Sequence, residues 1–166
     1  MLKIFGIVGW SGSGKTDLIC RLIKNLDEKR LKICSVKHTH HNFQIDKEGK
    51  DSFEHLRSGS KEVIIYNEHK FAMVSQKKKE KIDFEDVIKK FSKGMDLILV
   101  EGMKFSSIEK IEVHRSTLKK PLLCVEDKKI KAIVYDKVSK EISGLKLPKF
   151  QFNDTSEISN FIIGKI

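Results

Sequence analysis

The sequence predicts an α/β fold, in which a mostly parallel β-sheet carries helices on both faces and an antiparallel β-hairpin adds a smaller part. Short apolar runs alternate with segments whose apolar residues recur at helical spacing. A glycine-rich motif joins the first apolar run to the first helical segment. Two strand-like segments in the middle of the chain are separated only by the polar turn at residues 67–70. Alternating strands and helices favour a parallel sheet covered on both faces.

The first part of the chain predicts a strand, a helix and a second strand. Residues 2–8 are almost wholly apolar and predict a buried strand. Residues 16–28 carry an apolar stripe on one side, which is typical of an amphipathic helix. Residues 31–36 predict the second strand, and a polar, histidine-rich loop follows at residues 37–50.

The middle of the chain predicts two short helices around the hairpin. Asp51 begins a pattern similar to a capping box, so we expect it to be the N-cap of a helix that Gly59 ends. Residues 62–66 and 71–75 predict the two hairpin strands. Residues 83–91 predict a further helix because their apolar side chains share one face.

The last part of the chain predicts four strands and a closing helix. Residues 97–100 are the most apolar run and predict a buried strand. Residues 111–115 alternate between apolar and polar and predict a half-exposed strand. Residues 122–125 and 130–135 predict two more strands, and residues 155–163 predict the helix.

The composition is that of a globular protein, and its 166 residues predict one nucleotide-binding domain over residues 1–166. The formal net charge is +10, and lysine supplies nearly all of the positive charge. We interpret the basic run at residues 77–81 as a solvated loop. The chain has neither a nucleic-acid-binding motif nor an apolar stretch of about 18 residues, so we expect no nucleic-acid partner and no membrane span.

The three cysteines, Cys20, Cys34 and Cys124, are odd in number and far apart. We expect them to be buried, reduced side chains in a cytoplasmic protein. We expect no signal peptide, because Lys15 and Thr16 interrupt the N-terminal apolar run within a few residues.

The motif at residues 9–16 fits the phosphate-loop pattern G-x-x-x-x-G-K-[ST] at every fixed position. Gly12 and Gly14 let successive backbone N–H groups point inward, and the following helix presents its positive dipole end to a triphosphate. Lys15 is expected to reach the β and γ phosphates, and the Thr16 hydroxyl to bind Mg²⁺. The expected nucleotide-binding residues of this loop are Gly9, Ser11, Gly12, Ser13, Gly14, Lys15 and Thr16.

A second acid is needed at the carboxyl end of a neighbouring strand, and Asp96 and Glu101 flank the apolar run at 97–100. Five strand residues span about 16–17 Å, so the two acids cannot share one metal ion. Glu101 ends the strand beside Gly102, whereas Asp96 begins it. We therefore expect Glu101 to bind Mg²⁺ through water or to orient the attacking water.

The polar loop at residues 37–50 starts on the same side of the sheet. Long connections of this kind are usually functional. Asp46 is expected to reach the metal ion or the γ-phosphate, and Lys37 to contact phosphate. The histidines at 38, 40 and 41 allow two interpretations, contact with a nucleotide or anionic partner, or a transition-metal site that lacks an obvious fourth ligand.

These motifs together resemble the MobB family, the accessory proteins of molybdopterin-guanine dinucleotide biosynthesis. The resemblance rests on GWSGSGKT at residues 9–16 and on VKHTHHNFQIDKEGKDSFEH at residues 36–55. It continues with DLILVEGMK at residues 96–104 and KIEVHR at residues 110–115. The four segments follow the family order, and the His-rich segment is far more specific than the phosphate loop.

The resemblance implies a P-loop NTPase-type fold and a homodimeric protein that binds GTP and Mg²⁺ and hydrolyses GTP weakly. It further implies an accessory role beside a separate guanylyltransferase, which attaches GMP to molybdopterin, with molybdopterin itself as a ligand. Carried over, Asp46 and Glu101 lie in the acidic motifs near the phosphates, and Lys37, His38 and Lys50 in a loop that faces the cofactor or partner enzyme.

Two departures from the expected pattern stand out. Asp17 follows Thr16 where the family commonly has a second hydroxyl residue. An acid there either weakens nucleotide binding or points outward from the first helical turn. The chain also has no Asn-Lys-x-Asp motif for reading guanine, so the preference for guanine comes from the resemblance alone. The alternatives to the accessory role are a small-molecule kinase and a nucleotide-gated metal chaperone.

Overall fold

The computed structural model describes residues 3–77 and 81–165, which leaves the centre of the basic run at 77–81 outside the described residues. The chain forms two compact units. The sheet unit comprises Met1–His38 and Ser92–Ile166, and the hairpin unit comprises Thr39–Phe91. A single domain over residues 1–166 stays a prediction.

The regular elements alternate between strands and helices along most of the chain. The strands are β1 Lys3–Val8, β2 Ile33–Lys37, β3 Glu62–Tyr66, β4 Phe71–Ser75, β5 Leu97–Glu101, β6 Lys110–His114, β7 Ile130–Tyr135 and β8 Lys149–Gln151. The helices are α1 Lys15–Glu28, α2 Asp51–Arg57, α3 Phe84–Ile88, α4 Lys140–Gly144 and α5 Thr155–Ile163, with 3₁₀ turns at Ser116–Leu118 and Leu123–Val125.

The sheet unit is built on a six-stranded sheet with the strand order β2-β5-β1-β6-β7-β8. Every neighbouring pair in it is parallel. Parallel strands place all their carboxyl ends at one edge, where ligands bind in open α/β sheets. With the separate antiparallel pair of β3 and β4, this confirms the predicted fold class.

The larger core covers the sheet face on which α1 and α5 pack. The apolar stripe of α1 buries Leu18, Leu22 and Leu26 completely, as its helical spacing predicts. Ile158 of α5 joins them. A smaller cluster on Leu122, Ile133 and Ile142 contains residues of β7 and α4.

Strand β6 is buried from Lys110 to Val113, so the prediction of a half-exposed strand was wrong. It lies between β1 and β7, and its polar side chains find internal partners. The fully buried Lys110 amine donates to the carbonyls of Lys104 (2.8 Å) and Ser106 (2.7 Å) and to Asp127 Oδ2 (2.9 Å). Three partners satisfy its three donors, which makes the burial of this charge tolerable.

The buried carboxylate of Glu112 explains a second wrong prediction, the strand at residues 122–125. Its two oxygens accept hydrogen bonds from the backbone N–H groups of Leu123 (2.9 Å) and Cys124 (2.8 Å). Those groups are therefore not available to a β-ladder, and the segment forms the 3₁₀ turn Leu123–Val125. Burial and the neighbouring Glu112 carboxylate raise the pKa of the Cys124 thiol to about 12.

Two local predictions also need correction. Cys20 is exposed on α1, and Cys34 and Cys124 are partly buried, so the expectation of three buried thiols was wrong. The N-cap of α2 is Lys50, which has extended dihedrals, whereas Asp51 already lies in the first helical turn. In the first turn the Asp51 carboxylate interacts favourably with the helix dipole, but it makes no capping hydrogen bond.

The hairpin unit contains α2, α3 and the β3–β4 hairpin, whose strands have the predicted boundaries. The Asn67 side-chain oxygen accepts from the N–H groups of His69 and Lys70, both at 2.9 Å, and thereby fixes the turn. Directly paired Tyr66 and Phe71 are 80% and 72% exposed. A two-stranded hairpin with large apolar side chains in water is only marginally stable by itself.

Across the described part of the chain, no helix has the length and apolar character that a membrane crossing requires.

Candidate functional site

The phosphate loop, Gly9–Thr16, connects β1 to α1 at the carboxyl edge of the sheet. Gly14 is the N-cap of α1 and has a φ of 94°, in the left-handed region that favours glycine. A Cβ atom on Gly14 would lie 2.8 Å from Phe152 Cζ, so its backbone is also closely packed. Both constraints fix the turn from which the N–H groups at the start of α1 emerge.

The amine of Lys15 lies across this loop and donates to the carbonyl of Trp10 at 2.8 Å. Burial lowers the pKa of the Lys15 amine below its ordinary value. The Glu101 carboxylate opposes that shift, whereas the charges of Lys104 and Lys37 add to it. An anionic ligand would relieve the repulsion among these three cations, so the loop is electrostatically suited to phosphate.

Thr16 and Glu101 meet at the carboxyl edge of the sheet. The Thr16 hydroxyl donates to Glu101 Oε1 at 2.9 Å. The Lys37 amine lies 3.5 Å from the same oxygen. The strand pairing produces this meeting, because Glu101 is in register with Lys37 on β2 and with Ile7 on β1. The acid selected by the length of its strand therefore lies next to the first residues of α1.

Asp96 lies just before the amino end of β5, at the end of the sheet opposite the phosphate loop, as the argument from strand length predicts. Its Oδ2 atom accepts from the backbone N–H of Lys32 at 2.8 Å, just before β2 begins. It positions the start of that strand and is remote from the phosphate loop.

The segment after β5 turns sharply and brings a further cation to the loop. Gly102 and Met103 have φ values of 95° and 56°, both in the left-handed region. The Lys104 amine then lies 4.1 Å from the centre of the Trp10 ring. The Trp10 indole donates to the carbonyl of Pro121 at 2.8 Å. Trp10 is therefore held against the loop by these two contacts.

The remaining predicted residues divide between the two units. His38 follows β2 in the sheet unit, where its backbone N–H donates to the Glu101 carbonyl at 2.9 Å. The hairpin unit contains His40, His41, Asp46 and Lys50.

Asp46 Oδ1 accepts a hydrogen bond from the Lys47 N–H at 2.9 Å, and its Oδ2 is buried without a hydrogen-bond partner in the described chain. A role for Asp46 beside Thr16 and Glu101 stays a prediction.

Asp17, the departure inside the motif, is paired within its own helix. Its Oδ2 atom lies 3.1 Å from Arg21 Nε, one turn further along α1. The side chain of Asp17 is 61% exposed, so it points outward from the first turn. This favours the second of the two interpretations of that acid.

Sequence reasoning missed Arg115 and Phe152 as neighbours of the loop. Arg115 Nε donates to the Ser13 carbonyl at 3.2 Å, and its guanidinium carbon lies 4.0 Å from the centre of the Phe152 ring. A usable signal was present, because Arg115 is one of only four arginines and directly follows a strand at the ligand-binding edge. Phe152 follows β8 and gave no such signal.

The donor set at this edge fits Mg²⁺ better than a transition metal. A hydroxyl and a carboxylate oxygen 2.9 Å apart are hard oxygen ligands of the kind that Mg²⁺ prefers. Within residues 3–77 and 81–165, no group of three or more His, Cys, Asp or Glu side chains is arranged to hold a metal ion. The transition-metal interpretation of the histidines therefore gains no support from the described residues.

The family follows from a match that covers most of the chain. The family model described as MobB, molybdopterin guanine dinucleotide synthesis protein B, matches residues 4–136. The chain belongs to the MobB family. This confirms the resemblance inferred from the motifs, and all four motif segments lie inside the matched range.

Two named relatives agree with this assignment to the MobB family. A molybdopterin-guanine dinucleotide biosynthesis adapter protein of Haemophilus influenzae is 40% identical over 122 residues, which cover 73% of this chain and 68% of the relative. A protein of the same description from Escherichia coli is 30% identical over 166 residues, covering 98% and 93% of the two chains.

Solved structures of MobB proteins share the fold of this chain. A crystal structure of molybdopterin-guanine biosynthesis protein B is 26% identical with a TM-score of 0.75, over 98% of this chain and 99% of that one. Bacillus subtilis MobB has a TM-score of 0.76 at 22% identity, over 99% and 98% of the two chains, and supports the fold alone.

The charges around Lys15 predict how its pKa responds to substitution. Glu101→Gln removes the charge that opposes the shift and should lower the Lys15 pKa further, whereas Lys104→Met should raise it. NMR titration of ¹³C-labelled lysine side chains measures both, with the Lys15 signal assigned by its loss in Lys15→Ala. Lys24→Met, an exposed position on α1, is the control and should change nothing. Equal Lys15 pKa values in all variants would contradict the geometry.

Proposed function

We propose that this MobB-family protein binds GTP and Mg²⁺ and acts as an accessory protein in the attachment of GMP to molybdopterin. The observation that carries the proposal is the contact between Thr16 of the phosphate loop and Glu101 of β5, at 2.9 Å. The names of the relatives support the pathway, since two of them are called molybdopterin-guanine dinucleotide biosynthesis adapter proteins.

The charge around the loop suits a triphosphate. The charges of Lys37 and Lys104 act on the Lys15 amine, and so does the opposite charge of the Glu101 carboxylate. Three cations and one anion leave an excess of positive charge where the β and γ phosphates are expected. In the proposal, Gly9, Ser11, Gly12, Ser13 and Gly14 supply the backbone of the cradle, and Lys37 and His38 border it.

Thr16 and Glu101 are the proposed Mg²⁺-binding residues of the sheet unit, with Asp46 as a third on the strength of its family motif. When bound, Mg²⁺ neutralises the charge between the β and γ phosphates. Glu101 is held in place by the Thr16 hydroxyl and by Lys37, so it is suited to orient a water molecule. We propose slow hydrolysis and assign the main role to binding a partner enzyme.

The partners follow from the family and from the hairpin unit. We propose a molybdopterin guanylyltransferase as the partner enzyme, molybdopterin as a further ligand, and a homodimer as the working form. The exposed apolar side chains of Ile64, Tyr66 and Phe71 share one face of the hairpin, which supports burial against a second copy. The three free thiols are compatible with the cytoplasm.

A binding panel tests the proposed function. GTP with Mg²⁺ should bind the purified protein, and Lys15→Ala should weaken that binding at least about 100-fold, since a charge-assisted contact to phosphate is lost. Isothermal titration calorimetry measures both. Lys24→Ala removes an exposed lysine from the same helix and should leave the affinity unchanged. Unchanged affinity in Lys15→Ala would overturn the role of the loop.

The same panel separates the accessory role from its alternatives. Molybdopterin or its guanylyltransferase should bind the wild-type protein in a pull-down with GTP present. Tight stoichiometric Ni²⁺ or Zn²⁺ would favour a metal chaperone, and phosphoryl transfer to a small molecule would favour a kinase. Either result, without binding of molybdopterin or the partner enzyme, would reject the accessory role.

Glu101→Gln tests the role of the acid in hydrolysis. It should keep GTP binding but slow turnover by about 100-fold, because the amide orients water more weakly than the carboxylate. Phosphate release at saturating GTP measures the rate. Asp96→Asn is the matched control at the other end of β5 and should keep the wild-type rate. Normal turnover in Glu101→Gln would move the role to Asp46.

The hairpin tests the homodimer. Tyr66→Lys with Phe71→Lys places two charges on the exposed apolar face and should convert the dimer to a monomer. Sedimentation velocity measures the change, with His69→Lys in the turn as the control. A wild-type monomer at micromolar concentration would contradict the proposal.

A further inference from the structure

We propose that Arg115 and Phe152 form the wall that receives the nucleoside part, base and ribose, of the bound nucleotide. The inference rests on the proposed binding of GTP and adds the residues that meet the non-phosphate end of the ligand. No motif in the sequence supplies such residues, because the guanine-reading Asn-Lys-x-Asp pattern does not occur.

The strand order determines on which side the nucleoside lies. β5, with Glu101, and β6, followed by Arg115, flank β1 on opposite sides. Thr16 and Glu101 mark the metal-binding side, where the β and γ phosphates belong. A nucleotide that lies along the carboxyl edge therefore directs its other end towards β6, β7 and β8. Arg115 and Phe152 are on that side.

Both side chains pack directly on the turn that begins α1. A Cβ atom on Gly14 would lie 2.8 Å from Phe152 Cζ and 3.1 Å from Arg115 Nη2. Arg115 Nε also donates to the Ser13 carbonyl at 3.2 Å. The pair thus contacts the same backbone that is expected to cradle the phosphates.

The chemistry of the pair fits a nucleoside. The Arg115 guanidinium stacks on the Phe152 ring with 4.0 Å between its central carbon and the ring centre. One of its N–H groups is already used by the Ser13 carbonyl. The Arg21 guanidinium carbon lies 4.8 Å from the centre of the same ring, so the ring already contacts two guanidinium groups. The planar guanidinium of Arg115, supported by the ring, is the surface on which a nucleobase would stack, and such stacking tolerates any base.

Neighbouring residues hold the pair rigidly. Asp136 Oδ1 accepts from the Ser116 N–H at 2.9 Å and Oδ2 from the Ser116 hydroxyl at 3.0 Å, which fixes the backbone next to Arg115. Burial would raise the pKa of the Asp136 carboxyl, but these hydrogen bonds outweigh it and hold the pKa below its ordinary value. Arg21 supports Phe152 by donating to its carbonyl at 2.7 Å. A preformed wall costs little entropy when the base binds.

The position of Arg115 also argues against a role in stabilising charge during hydrolysis. Such a role requires the guanidinium at the γ-phosphate, on the side of Glu101. Arg115 instead follows the strand on the other side of β1. The two roles differ in what they change, since a nucleoside wall affects affinity and a charge-stabilising arginine affects turnover.

The test compares GTP with inorganic tripolyphosphate, which has the phosphates and no nucleoside. Arg115→Met should weaken GTP binding about tenfold, a typical loss for one stacked base, and change tripolyphosphate binding less than about twofold. Arg115→Lys keeps the positive charge but lacks the planar guanidinium, so it should show the same selective loss of GTP affinity as Arg115→Met. Phe152→Leu should give the same selective loss, and circular dichroism confirms that each variant is folded. Isothermal titration calorimetry on the full chain measures each dissociation constant.

Arg57→Met in the hairpin unit makes the same chemical change at an exposed position and should leave both ligands unaffected. Equal losses for GTP and tripolyphosphate in Arg115→Met, or wild-type GTP binding in Arg115→Lys, would overturn the nucleoside wall. Slower turnover with an unchanged GTP dissociation constant would replace the nucleoside wall with a charge-stabilising role for Arg115.

If the wild-type protein binds neither ligand, the proposed function fails and the nucleoside wall fails with it. If Lys15→Ala abolishes GTP binding but Arg115→Met does not alter the preference for GTP, only the wall fails.

Discussion

The parallel pairing of β1 between β5 and β6 is the constraint on which the site depends. β1 delivers the phosphate loop to the carboxyl edge, and each neighbour delivers one side chain to the same edge. Register, and not proximity in the chain, brings Glu101 to Thr16 across 85 positions. The same arrangement brings Arg115 to Ser13 from the other side. A proposed metal-binding side and a proposed nucleoside side thus arise from one set of three strands.

Buried charges shape the loops around this edge. Lys110 lies inside the sheet unit and holds the carbonyls of Lys104 and Ser106, so it positions the segment that carries the Lys104 amine over Trp10. Glu112, two residues further along β6, holds the turn that contains Leu123. Burying these groups has a large desolvation cost, which the three hydrogen bonds of Lys110 and the two of Glu112 offset. The surface of the site is therefore determined partly by charges that no ligand touches.

Patterns with a strong local cause were predictable. The stripe of α1, the hairpin boundaries and the apolar run of β5 depend on periodicity and turn residues within a short window. Glu101 was found by combining strand length with the rule that ligands bind at the carboxyl edge. The exposure of β6 was predicted wrongly, because alternating polar residues on a central strand look the same in sequence whether water or a buried partner satisfies them.

The sequence by itself determined the class of fold, the phosphate-loop motif, the position of Glu101 beside that loop and the family, since each is written in residues close together or in a fixed motif. Only the tertiary structure decided that Asp17 pairs with Arg21, that residues 122–125 turn around Glu112, and that Arg115 stacks on Phe152 beside Gly14. The last contact joins elements that are far apart in the chain, and the contact of Glu112 with Leu123 joins a strand to the turn 11 positions later. Such contacts depend on strand order and on the competition for buried hydrogen-bond partners, and neither is encoded in any local stretch of sequence.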